Sequence, residues 1–135
     1  MLRRKDKTAQ ATASETPFAI SRRDHDARAS VISVEGELDV STAPALKWAL
    51  LDSAQDGHGQ LVVDLSLASF MDSTALGVLI GVQRSLGAGG GIAIVCTAPA
   101  ILSVFEVSGM DGAFAIHATL EDALATISTP AAETG

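Results

Sequence analysis

The chain has 135 residues, 47% of them hydrophobic, with four Phe, one Trp and no Tyr. That is enough apolar material for one globular domain, too little length for two of ordinary size, and the wrong composition for a disordered chain. The formal charge of −7 is uneven, with net +2 on residues 1–16 and −9 on the remainder, so the part expected to fold lacks the cation cluster that nucleic-acid binding needs and a protein partner is expected instead.

In chain order, residues 1–16 are polar, rich in Ala, Ser and Thr, and without apolar periodicity, which predicts a disordered tail. They also lack the apolar centre of a secretory signal, and no apolar run approaches the roughly 18 residues of a membrane span, so no membrane association and a cytoplasmic location are expected. FAISRRD (18–24) and ASVISVEGEL (29–38) are β-branched runs joined by the polar turn HDAR, which predicts an antiparallel strand pair with His25 solvated. A helix of about 13 residues follows within 39–59, with Ser41 as N-cap, Pro44 in its first turn and Gly57 or Gly59 as its stop.

QLVVDLSL (60–67) is continuously apolar, the pattern of a strand covered on both faces, ended by a polar turn. STALGVLIGVQRSLG (73–87) predicts a second helix, capped by Asp72 and ended by Gly87. GIAIVC (91–96) reads as another central strand, and its Cys96, the sole cysteine, as a small core residue that excludes an internal disulfide. A third helix is expected from Pro99 to Ser108 with Thr97 as cap and Gly109 as terminator, then a strand at 114–118 and a helix capped by Thr119 running through Ile127. Residues 129–135 form a second disordered tail, leaving one folded domain at 17–128. The class is α/β: an antiparallel pair, then alternating helices and strands in a mixed, largely parallel sheet with about four helices.

Several chemistries lack the groups they require. GAGGG (87–91) ends a helix and opens a strand, whereas a phosphate-binding glycine loop does the reverse, so it is a flexible turn. His25, His58, His117 and Cys96 share no ligand spacing, so no metal site is expected. Ser73 lies in DSTAL and not in the G-x-S-x-G turn of a hydrolase nucleophile. Asp64 invites comparison with a receiver phosphoacceptor at a strand's C-terminal end, but that chemistry needs a Mg²⁺ ion held by further carboxylates close to the first strand and a basic residue to balance the transferred charge, and beyond Lys47 only Arg84 carries a fixed positive charge. No catalytic residue and no cofactor are assigned, and the chain is not read as an enzyme.

One hydroxyl stands out. With Asp72 capping the helix, Ser73 is its first residue and its hydroxyl is left free. Ser73, Gly77, Gly81 and Arg84 fall within about 80° on a helical projection. Two interior glycines cost about 1 kcal/mol each relative to Ala, so the stripe reflects either close approach by a partner or close packing within the domain. Arg84 is about 16 Å along the axis from Ser73 and cannot pair with a phosphate there. Trp48 projects away from the apolar face of its helix, either as an interface anchor or as peripheral packing.

GELDVSTAP (36–44) and VVDLSLASFMDSTALGVLIG (62–81), present in order and at suitable separation, resemble the anti-sigma factor antagonists, bacterial STAS-domain proteins, over about residues 17–128. The resemblance implies a STAS-like fold and partner switching. The unmodified antagonist binds an anti-sigma factor with serine kinase activity and frees a sigma factor, phosphorylation ends the contact, and a PP2C-type serine phosphatase restores it. By motif, Ser73 matches the phosphorylated serine and Asp39 an acidic residue beside it. The implied contact patch is Asp39, Val40, Ser41, Asp72, Ser73, Thr74 and Gly77. The alternative is a STAS scaffold or ligand-sensing module that does not switch. One departure is Ala75, where the family commonly has Gly, a change expected to limit a kinase's approach.

Overall fold

β-branched residues recur through 29–38, and Ile20 stands among polar residues in 19–24; both runs form strands. The structure, a computed structural model, describes residues 18–110 and 112–128, so the tails expected at 1–16 and 129–135 lie outside the described residues. The order is β1 (Ala19–Asp24), β2 (Ala29–Leu38), α1 (Ala43–Gln55), β3 (Gln60–Met71), α2 (Ser73–Leu86), β4 (Gly91–Val95), α3 (Pro99–Val107), β5 (Ala115–His117) and α4 (Leu120–Ser128). The strands form one sheet in sequential order, β1-β2-β3-β4-β5. β1 runs antiparallel to β2, and each later neighbour is parallel to the one before. This is the mixed α/β sheet with four helices that the alternation of patterns predicts.

Because each β-α-β step moves one strand further along the sheet with the same hand, the three crossover helices gather on one face. Leu46 and Leu50 of α1, Leu79 of α2 and Ile101 and Phe105 of α3 pack there with Ile32, Val34, Leu61, Val63 and Ile94 of the strands, all at 1% exposure or less. Phe105 meets Phe114 edge to face, with ring centroids 5.9 Å apart and an interplanar angle of 76°, the geometry that the ring quadrupole favours. α4 follows the last strand and is free to fold back over the opposite face, where Ala123 packs with Val31, Val62, Ala93 and Val95. Among the described residues no helix is long and apolar enough to cross a membrane.

α1, α2 and α3 end at glycines with positive φ: Gly57 at 98°, Gly87 at 75° and Gly109 at 78°. Gly57, not Gly59, is therefore the stop of α1. Gly90 is required for another reason: a Cβ there would lie 2.7 Å from the Gly59 carbonyl oxygen and 2.9 Å from Leu86 Cβ. Cys96 is buried, and burial raises its thiol above the ordinary value.

Four expectations are corrected. The N-cap of α1 is Thr42, not Ser41, and neither hydroxyl caps the helix. Ser41 Oγ donates instead to the Asp39 carboxylate at 2.8 Å, and Thr42 Oγ donates to the Glu37 carbonyl at 2.7 Å. Ala98, not Thr97, precedes α3 without a side-chain cap, because the following Pro99 holds it extended at φ −70°, ψ 121°. β3 continues to Met71 rather than ending at Leu67. Ala68 and Met71 face the core while Ser66, Ser69 and Phe70 face outward, so the polar residues that resembled a turn lie on the side of the strand where water meets them. For the same reason β3 is covered on both faces only as far as about Leu65, and Leu67 is 69% exposed.

Candidate functional site

Register brings the two motif segments together. Leu38 pairs with Met71, and the Asp72 N–H donates to the Leu38 carbonyl at 3.1 Å, so the chain enters α1 and α2 from adjacent strand ends carrying Asp39 and Asp72. Asp72, extended at φ −114° and ψ −177°, accepts at Oδ1 from the N–H of Thr74 at 2.9 Å and of Ala75 at 3.2 Å. That satisfies two of the orphan donors at the helix start. Ser73 and Thr74 are exposed, and among the described residues the Ser73 hydroxyl has no hydrogen-bond partner.

Asp39 is half-buried and organises its own loop. Oδ1 accepts from the Ser41 hydroxyl at 2.8 Å, from the Ser41 N–H at 2.9 Å and from the Thr42 N–H at 3.2 Å. These bonds, that from the Ser41 hydroxyl foremost, hold its carboxyl below the ordinary value of 3.8. Among the described residues the other oxygen, Oδ2, accepts no hydrogen bond, and the loop lifts Val40 to 70% exposure.

The exposed stripe of α2 is not an internal packing seam. Among the described residues a Cβ at Gly77 or Gly81 would meet nothing within 4 Å, which overturns close packing within the described domain as the reason for them. The stripe separates two apolar hollows. One, about 330 Å³, lies between α2 and α3 and is lined by Ser73, Leu76, Ser103, Val104, Val107 and Ser108. The other, about 430 Å³, lies between α1 and α2 against Lys47, Leu51, Gly77, Val78 and Gly81. Trp48 beside it is 59% exposed, with Lys47 Nζ 5.6 Å from its ring centroid. The α3 side was missed in the sequence, although Ser103 and Val107, four residues apart and opposite the buried Ile101 and Phe105, mark an outward face with one unexplained apolar residue, 85% exposed.

Two expectations change here. Ala75 is fully buried, so this departure from the family pattern faces the core and does not meet an approaching kinase. Asp64 lies in mid-strand opposite Ser33 and accepts from the Ser66 N–H and hydroxyl; it is not at a strand's C-terminal end, and the receiver comparison loses its geometry.

Residues 21–123 match the family model of the STAS domain. The anti-sigma-F factor antagonist RsfB of Mycobacterium tuberculosis is 32% identical over 107 residues, 79% of this chain and 87% of that one. An anti-sigma factor antagonist from Mycobacterium paratuberculosis, known from its crystal structure, has a TM-score of 0.78 at 35% identity, over 84% of this chain and 96% of that one. SpoIIAA, at 26% identity, is solved unphosphorylated (TM-score 0.71, over 81% of this chain and 96% of that one). Its phosphorylated form, from Bacillus, has a TM-score of 0.65 over 81% and 99%.

Proposed function

The chain belongs to the STAS domain family, and from that premise we propose that it is an anti-sigma factor antagonist switched by phosphorylation of Ser73. In the unphosphorylated form Asp39, Val40, Ser41, Asp72, Ser73, Thr74 and Gly77 meet an anti-sigma factor that is also a serine kinase, and a sigma factor is freed. The observation that carries the reading is the division of roles at the start of α2, where Asp72 takes the capping bonds and leaves the exposed Ser73 hydroxyl unpartnered. That a related protein is known in phosphorylated and unphosphorylated forms supports it.

The switch acts on binding rather than on the fold. The γ-phosphoryl of ATP passes to Ser73 Oγ, the bond to the β-phosphate oxygen breaks, ADP leaves, and the hydroxyl proton goes to a base of the kinase. The product carries about 1.5 to 2 negative charges and three acceptor oxygens. The α2 N-terminus offsets part of this charge, by about 0.3–1 kcal/mol. A docked partner meets new bulk and new charge beside Asp72 and Asp39, which weakens the complex. Hydrolysis by a PP2C-type phosphatase returns the serine and releases inorganic phosphate.

The test is labelling of the full chain by its kinase, recovered by pull-down from the source cell, with ATP. Ser73→Ala abolishes an acid-stable label; labelling equal to wild type refutes the assignment. Partner affinity unchanged in the phosphorylated protein would instead favour a scaffold or ligand-sensing module.

A further inference from the structure

The two faces of the sheet are unequally covered. α4 packs on its face only around Val31, Val62, Ala93 and Val95. Further along that face, toward the C-terminal ends of β2 and β3, Glu35 pairs with Leu67 and Glu37 with Phe70. Leu67 is 69% exposed and Phe70 46%, and both glutamates are exposed. Half-buried Asp64 precedes them on β3, while Asp39 and Asp72 stand two residues beyond Glu37 and Phe70. A row of carboxylates thus borders two exposed apolar side chains. Among the described residues no ion pair reaches any of the five. Register places Arg23 of β1 on the same face, but opposite Val31, four residues before Glu35 and about 13 Å from it at the usual strand rise.

We infer that this half-face docks a cationic amphipathic helix of a partner protein. Charge selects the occupant. A second copy of this chain would bring the same carboxylates and a formal charge of −7, and a nucleic acid or an anionic lipid surface would be repelled in the same way. A segment carrying Lys or Arg beside apolar residues satisfies both parts of the surface, apolar against apolar and charge against opposite charge. The shape calls for a helix. α4 already covers the other half of this face as one, and helices are what close the sheet faces of α/β folds. Leu67 and Phe70 lie three residues apart, about 10 Å along the strand, which matches two turns of a helix laid along β3. Its apolar stripe meets Leu67 and Phe70, and cations on the flank toward β2 meet Glu35 and Glu37 about 5 Å to the side, one strand spacing away. A shallow hollow of about 150 Å³ lined by Ala19, Ser21, Ser33, Glu35 and Leu67 receives the end of an apolar side chain. The inference goes beyond the Ser73 reading and does not depend on that residue's modification.

Nuclear magnetic resonance titration of the isotope-labelled full chain at low ionic strength tests it. The probes are a synthetic helical peptide of Leu and Lys, with Leu on one face and Lys along its flank, and the same peptide with Glu in place of Lys. The Lys peptide shifts the amides of Glu35, Glu37, Leu67 and Phe70 most, and the Glu peptide leaves them unmoved. The Lys peptide's dissociation constant rises at least about fivefold in Glu35→Gln, Glu37→Gln and in Leu67→Ser, Phe70→Ser, each with the circular dichroism of wild type, and less than about twofold in Asp52→Asn, Glu121→Gln, which removes equal charge elsewhere. Four results overturn the inference: shifts spread evenly over the acidic surface; equal losses in the control variant; unmoved Leu67 and Phe70 amides; or the same amides shifting on dilution of the free chain, which makes a second copy the occupant.

Discussion

Replacing Gly77 or Gly81 with alanine should stabilise the domain. Both lie inside α2 without positive φ, and a Cβ at either would meet nothing within 4 Å among the described residues. The substitution therefore brings the helix-propensity gain of about 1 kcal/mol without a steric cost. The two sites share no packed neighbour that an added methyl would disturb, so together they should give about 2 kcal/mol. With a urea dependence of about 1.5 kcal/mol per molar for a domain of this size, the unfolding midpoint should rise by about 0.7 M for one and 1.3 M for both. Gly90→Ala is the opposite control, because its Cβ would press on the Gly59 carbonyl at 2.7 Å, and the midpoint should fall by the equivalent of about 1–3 kcal/mol. A lower midpoint for Gly77→Ala, or the same response from all three variants, would refute the reasoning by showing that the stripe packs against something in the free protein. If the stripe serves a partner, the stabilised Gly77→Ala protein should bind that partner more weakly.

Asp72→Ala should cost about 1 kcal/mol through its two lost capping bonds and lower the thermal midpoint by roughly 3–6 °C, whereas Asp72→Asn should lose only a few tenths of a kcal/mol; equal losses in calorimetry would contradict capping as the cause. Phosphorylation of Ser73 should leave far-UV circular dichroism nearly unchanged while partner affinity drops, and a large loss of helix would overturn the surface-charge mechanism. Asp24, Asp26 and Asp39 are all held below their ordinary value of 3.8, Asp24 chiefly by Arg22, Asp26 by the Arg28 N–H and Asp39 by the Ser41 hydroxyl. A carboxyl lowered in the folded state contributes stability above its unfolded value and loses it as pH falls through the folded value. Urea midpoints should therefore decline as pH falls from about 4, and less steeply in Asp39→Asn.

Element order and class were legible because apolar period and glycine stops agree with the tertiary packing along most of the chain. The cap of α2 was legible too, since Asp72 precedes a helix with no competing local partner. Ser41 and Thr97 misled because a hydroxyl ahead of a helix has other options: Asp39 draws Ser41 away, and Pro99 fixes the backbone at Ala98 without any side chain. The extent of β3 depends on which side of the sheet remains open, a property of α4's position that residues 66–71 do not encode. Whether Gly77 and Gly81 face a neighbouring element or water is likewise a question of helix rotation, which spacing alone leaves undecided. The proximity of Asp39 and Asp72 follows from the β2–β3 register and is invisible in their separation along the chain.

The sequential strand order bears on how the chain assembles. No strand has to insert between two that are already paired, so the sheet can grow one strand at a time from the amino terminus, each new strand arriving with a helix to cover it. Such an order keeps loop closures short and lets assembly follow synthesis on the ribosome. The last piece to arrive, α4, closes the second face over strands already in place.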